Sequence, residues 1–256
     1  MSKWVLLGIR SGTKTTRYPS HTESAAGISP GRPKDTLMAD KNAQALIRDL
    51  CPTGALNPKN DRIAVDYRRC ISCRRCARGA STLVDWEESW EWASLSAPDL
   101  NASSALGSPF SQSLHIRVLD AGACRACLSE IEQLGKPYYN IHRLGFFMTP
   151  TPRHADVLLV AGPVADNMRL PLEKAYDAMP TPKRVVAVGA CALSGGVFGP
   201  SFTSYGSLKN VIPVDVEIPG CPPPPLAIIH GLLVLTGRRP PAESGATSFL
   251  DRRSGT

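Results

Sequence analysis

Short apolar runs alternate with segments of helical periodicity between residues 113 and 240. The extended runs lie at 113–120, 155–162, 183–190 and 211–220. The helical patterns lie at 127–135, 170–179 and 225–237. Nearly continuous apolar strands that alternate with helices are typical of a parallel sheet covered on both faces. We therefore predict an α/β domain over residues 113–240.

The pattern is different on either side of this domain. Residues 1–36 are rich in Thr, Ser, Gly and Pro and have weak periodicity, which predicts an extended arm. Residues 37–92 contain four cysteines and predict a small separate domain. Residues 93–112 are small, polar and almost uncharged, as in a linker, and residues 241–256 have the composition of a flexible tail.

The amino-acid composition limits the classes of protein to which this chain can belong. An apolar content of 43% is enough for a packed core. The longest apolar runs are well short of the roughly 20 residues that a membrane helix needs, and the N-terminus lacks the features of a signal peptide. We therefore expect a cytoplasmic protein whose cysteines are metal ligands or thiols rather than disulfides. The net charge of +7 is compatible with several acidic partners and selects none.

The stretch DYRRCISCRRCARGAS, residues 66–81, contains the C-x2-C-x2-C spacing of bacterial iron–sulfur proteins. In two-cluster ferredoxins each such run ends in a fourth cysteine followed by proline, and this cysteine ligates the other cluster. The fourth position here is Ala80, but Cys51 and Pro52 form such an ending upstream. The positions that would lead to Cys51 in its own run are also not cysteines: Lys41, Gln44 and Ile47.

The cluster whose ligands would be at positions 41, 44, 47 and 80 therefore has no cysteine, whereas the cluster with ligands at positions 51, 70, 73 and 76 has all four. We predict a single [4Fe–4S] cluster in a ferredoxin-like domain, held by Cys51, Cys70, Cys73 and Cys76. A zinc site is the alternative, although four-thiolate zinc usually uses two separated C-x2-C pairs. Five arginines crowd the same loop: Arg68, Arg69, Arg74, Arg75 and Arg78. They form a solvated cationic loop, and their charge would also raise the potential of a cluster.

Four more cysteines follow predicted strands. Cys124 and Cys127 follow the first strand, Cys191 the third and Cys221 the fourth. Loops at the carboxyl ends of parallel strands share one edge of the sheet, so the four thiols are expected to converge. Four thiolates suit [4Fe–4S] or zinc. A thioredoxin-like C-x2-C pair is a further alternative, but it would leave two cysteines unexplained.

Specific motifs also resemble a known family. The stretch 152–198, followed by VIPVDVEIPGCPP, resembles the small-subunit family that membrane-bound [NiFe] hydrogenases share with NADH:quinone oxidoreductase. The C-x2-C spacing of Cys124 and Cys127 is that of the formate-hydrogenlyase type. In the first half, LGIRSGTKTTRYP, GRP, CPTGAL and RRCISCRRC resemble the two-cluster ferredoxin subunit of the same complexes. The chain thus resembles a fusion of two neighbouring subunits.

The resemblance implies a flavodoxin-like fold for residues 113–240. It implies that a second [4Fe–4S] cluster, proximal to the active site of a large subunit, is held by Cys124, Cys127, Cys191 and Cys221. Glu130 matches an acidic position of the family. Ala126 replaces a usual glycine and Leu128 an acidic residue, which bears on whether the large subunit holds nickel and iron. In the family the N-terminal arm lies along the membrane arm and partner subunits.

Together these features predict an iron–sulfur electron-transfer subunit with two [4Fe–4S] clusters, peripheral on the cytoplasmic face of the inner membrane. The expected partners are a hydrogenase- or NADH-dehydrogenase-like large subunit and membrane-arm subunits, and not nucleic acid. No residue is expected to be catalytic, and five histidines are expected to be structural or at the surface: His21, His115, His142, His154 and His230. One alternative is the same relay in a quinone-reducing complex without nickel. Another is a zinc-stabilised module that binds nucleic acid.

Overall fold

The computed structural model describes residues 2–21, 23, 27–34, 36–37, 49–59, 62–79, 84–96 and 108–242. Several features of the sequence interpretation lie outside these ranges. They are the non-cysteine positions Lys41, Gln44, Ile47 and Ala80, the middle of the predicted linker, and the tail from residue 243.

The N-terminal half contains short elements. Helix α1 spans Lys3–Ser11, a segment that the sequence predicts only as part of an extended arm, and none of its residues is buried. The strands are β1 (Arg32–Pro33), β2 (Thr36–Leu37), β3 (Leu56–Lys59), β4 (Arg62–Val65) and β5 (Trp86–Glu87), and helix α2 spans Arg75–Gly79. Strands β2, β4 and β3 form one antiparallel sheet, and β1 pairs with β5.

A six-stranded sheet forms the centre of the C-terminal half. Its strands are β6 (Ser94–Leu95), β7 (Leu114–Asp120), β8 (Phe146–Met148), β9 (Val157–Ala161), β10 (Arg184–Val188) and β11 (Val216–Ile218). The order is β6-β11-β10-β9-β7-β8, and every neighbouring pair except β6 with β11 is parallel. The five parallel strands have the 2-1-3-4-5 order of flavodoxin-like folds. The predicted parallel α/β domain is confirmed.

Helices cover both faces of this sheet. They are α3 (Ala126–Gln133), α4 (Asp166–Asp177), α5 (Gly189–Ser194) and α6 (Pro225–Leu235). Helices α3 and α6 pack on one face, and α4 and α5 pack on the other. Every residue of α6 is buried. Its sequence PLAIIHGLLVL is apolar on all sides, as expected for a helix in a protein interior. No helix within the described ranges is long and apolar enough to cross a bilayer.

The two halves share this core. Tyr18 of the arm is 2% exposed and packs in the same cluster as α6, and its hydroxyl donates to Glu91 at 2.8 Å. Strand β6, at the start of the predicted linker, forms the antiparallel edge of the large sheet. Residues 84–96 therefore connect the N-terminal half of the chain directly to the α/β domain.

Candidate metal centres

The first four cysteines line one cavity in the N-terminal half. Cys51, Cys70, Cys73 and Cys76 all contribute to its wall. Cys51 precedes β3, the middle two lie in the loop after β4, and Cys76 is in α2. Ser72 and Arg74 have positive φ angles of 51° and 56°, which bend the chain between successive cysteines. Cys51 therefore lies beside the same cavity as the three cysteines of the C-x2-C-x2-C loop.

Backbone amides and neighbouring thiolates set the acidity of this site. Burial raises the pKa of Cys51, but N–H groups that include that of Ala55, 3.2 Å from its sulfur, outweigh burial and lower the pKa. Burial raises the pKa of Cys70 to about 11, and repulsion from the other three thiolates adds to the rise. A cationic metal centre would remove this repulsion by neutralising the sulfurs.

The arginines of the loop are not equivalent. Arg74 donates to the Pro30 carbonyl at 2.6 Å, and Arg78 donates to the Cys73 carbonyl at 3.3 Å. Arg68 forms an ion pair with Glu217 on β11. Arg69 and Arg75 are exposed. Part of the positive charge therefore organises the fold around the first site.

The second four cysteines lie at the carboxyl ends of the parallel strands. Cys124 is in the loop after β7, and Cys127 is in the first turn of α3. Cys191 is in α5, which follows β10 directly, and Cys221 follows β11. Burial raises the pKa of Cys127 to about 12, with added repulsion from the thiolates of the other three cysteines. The predicted convergence at one sheet edge is therefore observed.

Two glycines give the sulfurs of this site room. A Cβ on Gly189 would lie 2.6 Å from the sulfur of Cys127, and one on Gly196 would lie 2.9 Å from the sulfur of Cys191. Both glycines have positive φ, 86° and 58°. Any side chain at either position would occupy the space that the sulfur uses. This clearance, together with four thiolates, fits an inorganic cluster core.

The two cysteine sites are neighbours. Burial raises the pKa of Cys221, and so does the charge of Cys73 in the other site. A small cavity is lined by Cys70 of the first site, by Trp92 and by Gly220, the residue before Cys221 of the second site. In the described part of the chain no three His, Cys, Asp or Glu side chains form a group that could hold a metal ion. A cluster core holds its ligand sulfurs farther apart than a single ion does.

His230 is the one histidine of the set that the structure places in the core. Its Nδ1 accepts from the Ala93 amide at 3.2 Å, and Nε2 lies 3.2 Å from the Pro240 carbonyl. Burial lowers its pKa, consistent with a neutral structural residue.

The sequence interpretation did not predict the ion pair between Arg68 and Glu217. The only signal for it was a single acidic residue, at position 217, within an apolar strand.

Comparisons with known proteins match the C-terminal half of the chain to one family. The family model described as NADH ubiquinone oxidoreductase, 20 Kd subunit, matches residues 124–235, which contain all four cysteines of the second site. An uncharacterised protein of Methanocaldococcus jannaschii is 47% identical over 122 residues, which cover 48% of this chain and 82% of that protein.

Two further relatives are named as subunits of hydrogenase complexes. Formate hydrogenlyase subunit 7 of Escherichia coli is 39% identical over 126 residues, 49% of each chain. The probable membrane-bound hydrogenase subunit mbhJ of Pyrococcus furiosus is 40% identical over 133 residues, 49% of this chain and 80% of that protein. On the strength of these matches, the chain belongs to the family of the 20 Kd subunit of NADH ubiquinone oxidoreductase.

Proposed function

We propose that the chain is an iron–sulfur electron-transfer subunit of a membrane-associated, [NiFe]-hydrogenase-like complex of the formate hydrogenlyase type. It would relay single electrons through two [4Fe–4S] clusters to or from a large subunit. The observation that carries the proposal is the adjacency of two complete four-cysteine sites, since Cys70 of the first site and Gly220, the residue before Cys221, line one cavity. Family membership supports an oxidoreductase subunit.

The chain supplies ligands and electrostatics, and it supplies no acid–base catalyst. Cys51, Cys70, Cys73 and Cys76 would hold one cluster, and Cys124, Cys127, Cys191 and Cys221 the other. Bound [4Fe–4S] clusters supply one-electron chemistry at potentials set by charge, hydrogen bonds to sulfur and solvent exposure. The Ala55 amide and Arg75, which is exposed and lines the first cavity, favour negative charge at the first site.

Two exposed apolar features suit partner subunits. Val197, Phe198 and Phe202 lie on the loop that follows Cys191, and Phe202 is 97% exposed. Exposed apolar patches of this kind mark interaction surfaces, so this loop is the proposed contact with the large subunit. Helix α1 exposes Trp4 and Leu7 and carries basic residues at both ends. It is the proposed contact with the membrane arm on the cytoplasmic face.

A quinone-reducing respiratory complex without nickel is the second candidate, and the description of the matched family favours it. The electron relay in this chain would be the same in both. The two candidates differ in the large subunit, so nickel content of the purified complex separates them. For a zinc-stabilised nucleic-acid-binding module, only part of the positive charge of the loop is uncommitted, because Arg68, Arg74 and Arg78 contact other groups of the protein.

Electron paramagnetic resonance of the dithionite-reduced chain tests the proposal. Two cubane signals are expected, with Cys73→Ser removing one and Cys191→Ser removing the other. A single signal that both variants remove would refute the two-site relay. Stoichiometric zinc and no signal would support the binding module.

A further inference from the structure

Glu217 is a buried carboxylate in an otherwise apolar strand. It is 5% exposed and lies at the centre of β11, between Val216 and Ile218, which are fully buried. Two cationic side chains form ion pairs with the same oxygen, Oε1, of this carboxylate. The Nζ of Lys209 is 2.6 Å from it, and the guanidinium of Arg68 is 3.0 Å from it. Burying a carboxylate requires such partners, because an unpaired charge inside a protein is costly.

The two cations come from different parts of the chain. Lys209 belongs to the α/β domain and already neutralises Glu217 there. Arg68 reaches across from the small half, where it precedes Cys70 by two residues. One cation is enough to neutralise a carboxylate, so neutralisation alone does not explain Arg68. Its ion pair adds a contact between the two halves of the molecule.

A second contact occurs at the same place. The Ser194 hydroxyl donates to the backbone carbonyl of Arg68 at 2.9 Å. Ser194 is the last residue of α5, the helix that holds Cys191, and Glu217 precedes Cys221 by four residues. Both contacts of Arg68 therefore end on segments that carry cysteines of the second site, and Arg68 itself enters the loop of the first site.

We propose that Arg68 and Glu217 are positioning residues that hold the two four-cysteine sites at a fixed separation. The ion pair binds neither cluster. It fixes the docking of the loop at 66–76 against β11 and α5, and hence the distance between the sites. This inference rests on the proposed function for its purpose, but the docking itself is a property of the chain.

Three variants of the full chain, purified anaerobically, test the inference. Glu217→Gln leaves both cations without their carboxylate charge, and Arg68→Met removes only the ion pair between the halves and keeps the backbone contact to Ser194. Arg69→Met is the matched control, because it removes the same charge from an exposed neighbour that has no contact with Glu217. Iron content, the magnetic interaction between the two reduced clusters, and amide hydrogen exchange are measured for each variant.

Arg68→Met is expected to keep its iron, to lose the magnetic interaction, and to exchange amides at 66–72 and 190–196 on the order of 10-fold faster. Glu217→Gln is expected to show the same changes or larger ones, and Arg69→Met none of them. Unchanged exchange and unchanged magnetic interaction in Arg68→Met would overturn the inference, whether or not Glu217→Gln folds. Parent protein without iron would refute the proposed function instead, and hydrogen exchange would still test the docking.

Discussion

Replacement of Gly189 by alanine is predicted to empty the second site selectively. The new Cβ would lie 2.6 Å from the sulfur of Cys127 and 3.3 Å from the carbonyl oxygen of Gly220. Cys127 is 7% exposed, so its side chain has little room to withdraw. The perturbation therefore acts directly on the position of one proposed ligand.

Two costs add up at this position. A side chain at φ +86° costs roughly 1–2 kcal/mol, because Cβ crowds the backbone in the left-handed region. Overpacking against a buried neighbour adds about 1–3 kcal/mol. The total of about 2–5 kcal/mol is a large part of the 5–15 kcal/mol that stabilises an ordinary domain. The structure can avoid the second cost only by moving the sulfur away from the site.

Gly199→Ala is the matched control. Gly199 also has positive φ, +63°, but a Cβ there would meet no atom within 4 Å. This variant has the backbone cost of about 1–2 kcal/mol without the contact to sulfur. Iron and acid-labile sulfide are measured per folded chain for both variants, together with the thermal midpoint.

Gly189→Ala is expected to fall from about eight irons to about four, because the first site stays intact. It should also lose the resonance signal that Cys191→Ser loses. Gly199→Ala should lower the thermal midpoint and retain about eight irons. Full iron content and both signals in Gly189→Ala would refute the argument that glycine clearance shapes the second site.

Three further predictions follow from the core and the arm. Burial lowers the pKa of His230 in the folded protein. Keeping this histidine neutral therefore contributes stability that is complete above about pH 6.5 and is lost as the pH falls through the lower pKa of the folded state. Between pH 7 and about pH 5 the denaturation midpoint of the parent should fall more steeply than that of His230→Gln. Leu232→Ala should cost about 2–5 kcal/mol in chemical denaturation, since Leu232 is fully buried in α6, and a loss below 1 kcal/mol would contradict that packing. Leu7→Ala, at an exposed site of α1, should change stability by at most about 0.5 kcal/mol while weakening retention on isolated membranes that hold the partner complex; unchanged retention would count against α1 as the membrane-arm contact.

The parallel sheet could be predicted because its central strands are buried on both faces. The runs at 155–162 and 183–190 are apolar at almost every position, and β9 and β10 lie within them. Convergence of the second cysteine set followed from the same pattern, since the cysteines come after strands of one parallel sheet. The pattern of buried apolar residues therefore predicted both the fold class and the edge of the sheet where the second cysteine site lies.

The edges of the sheet could not be predicted in the same way. Strands β6 and β8 have two and three residues, and their pairing, rather than their hydrophobic pattern, makes them strands. Strand β6 even lies in a segment whose composition is typical of a linker. Helix α5 contains glycine and serine and is only six residues long, so its sequence has no helical period to detect.

The contact between the sites depends on partners far apart in the chain. Arg68 and Glu217 are separated by most of the α/β domain, and an ion pair at that separation leaves no local periodicity. Sequence spacing grouped the cysteines into two sets of four. Only the structure shows that Cys70 and Gly220 line one cavity and that the two sets are neighbours.

Iron and acid-labile sulfide content of the full chain, purified anaerobically, tests the central claim most directly. Two complete [4Fe–4S] sites predict about eight irons and about eight sulfides per chain. About four of each would contradict the two-site account, and the Cys73→Ser and Cys191→Ser variants would then show which site is vestigial. Stoichiometric zinc without sulfide would contradict the electron relay altogether.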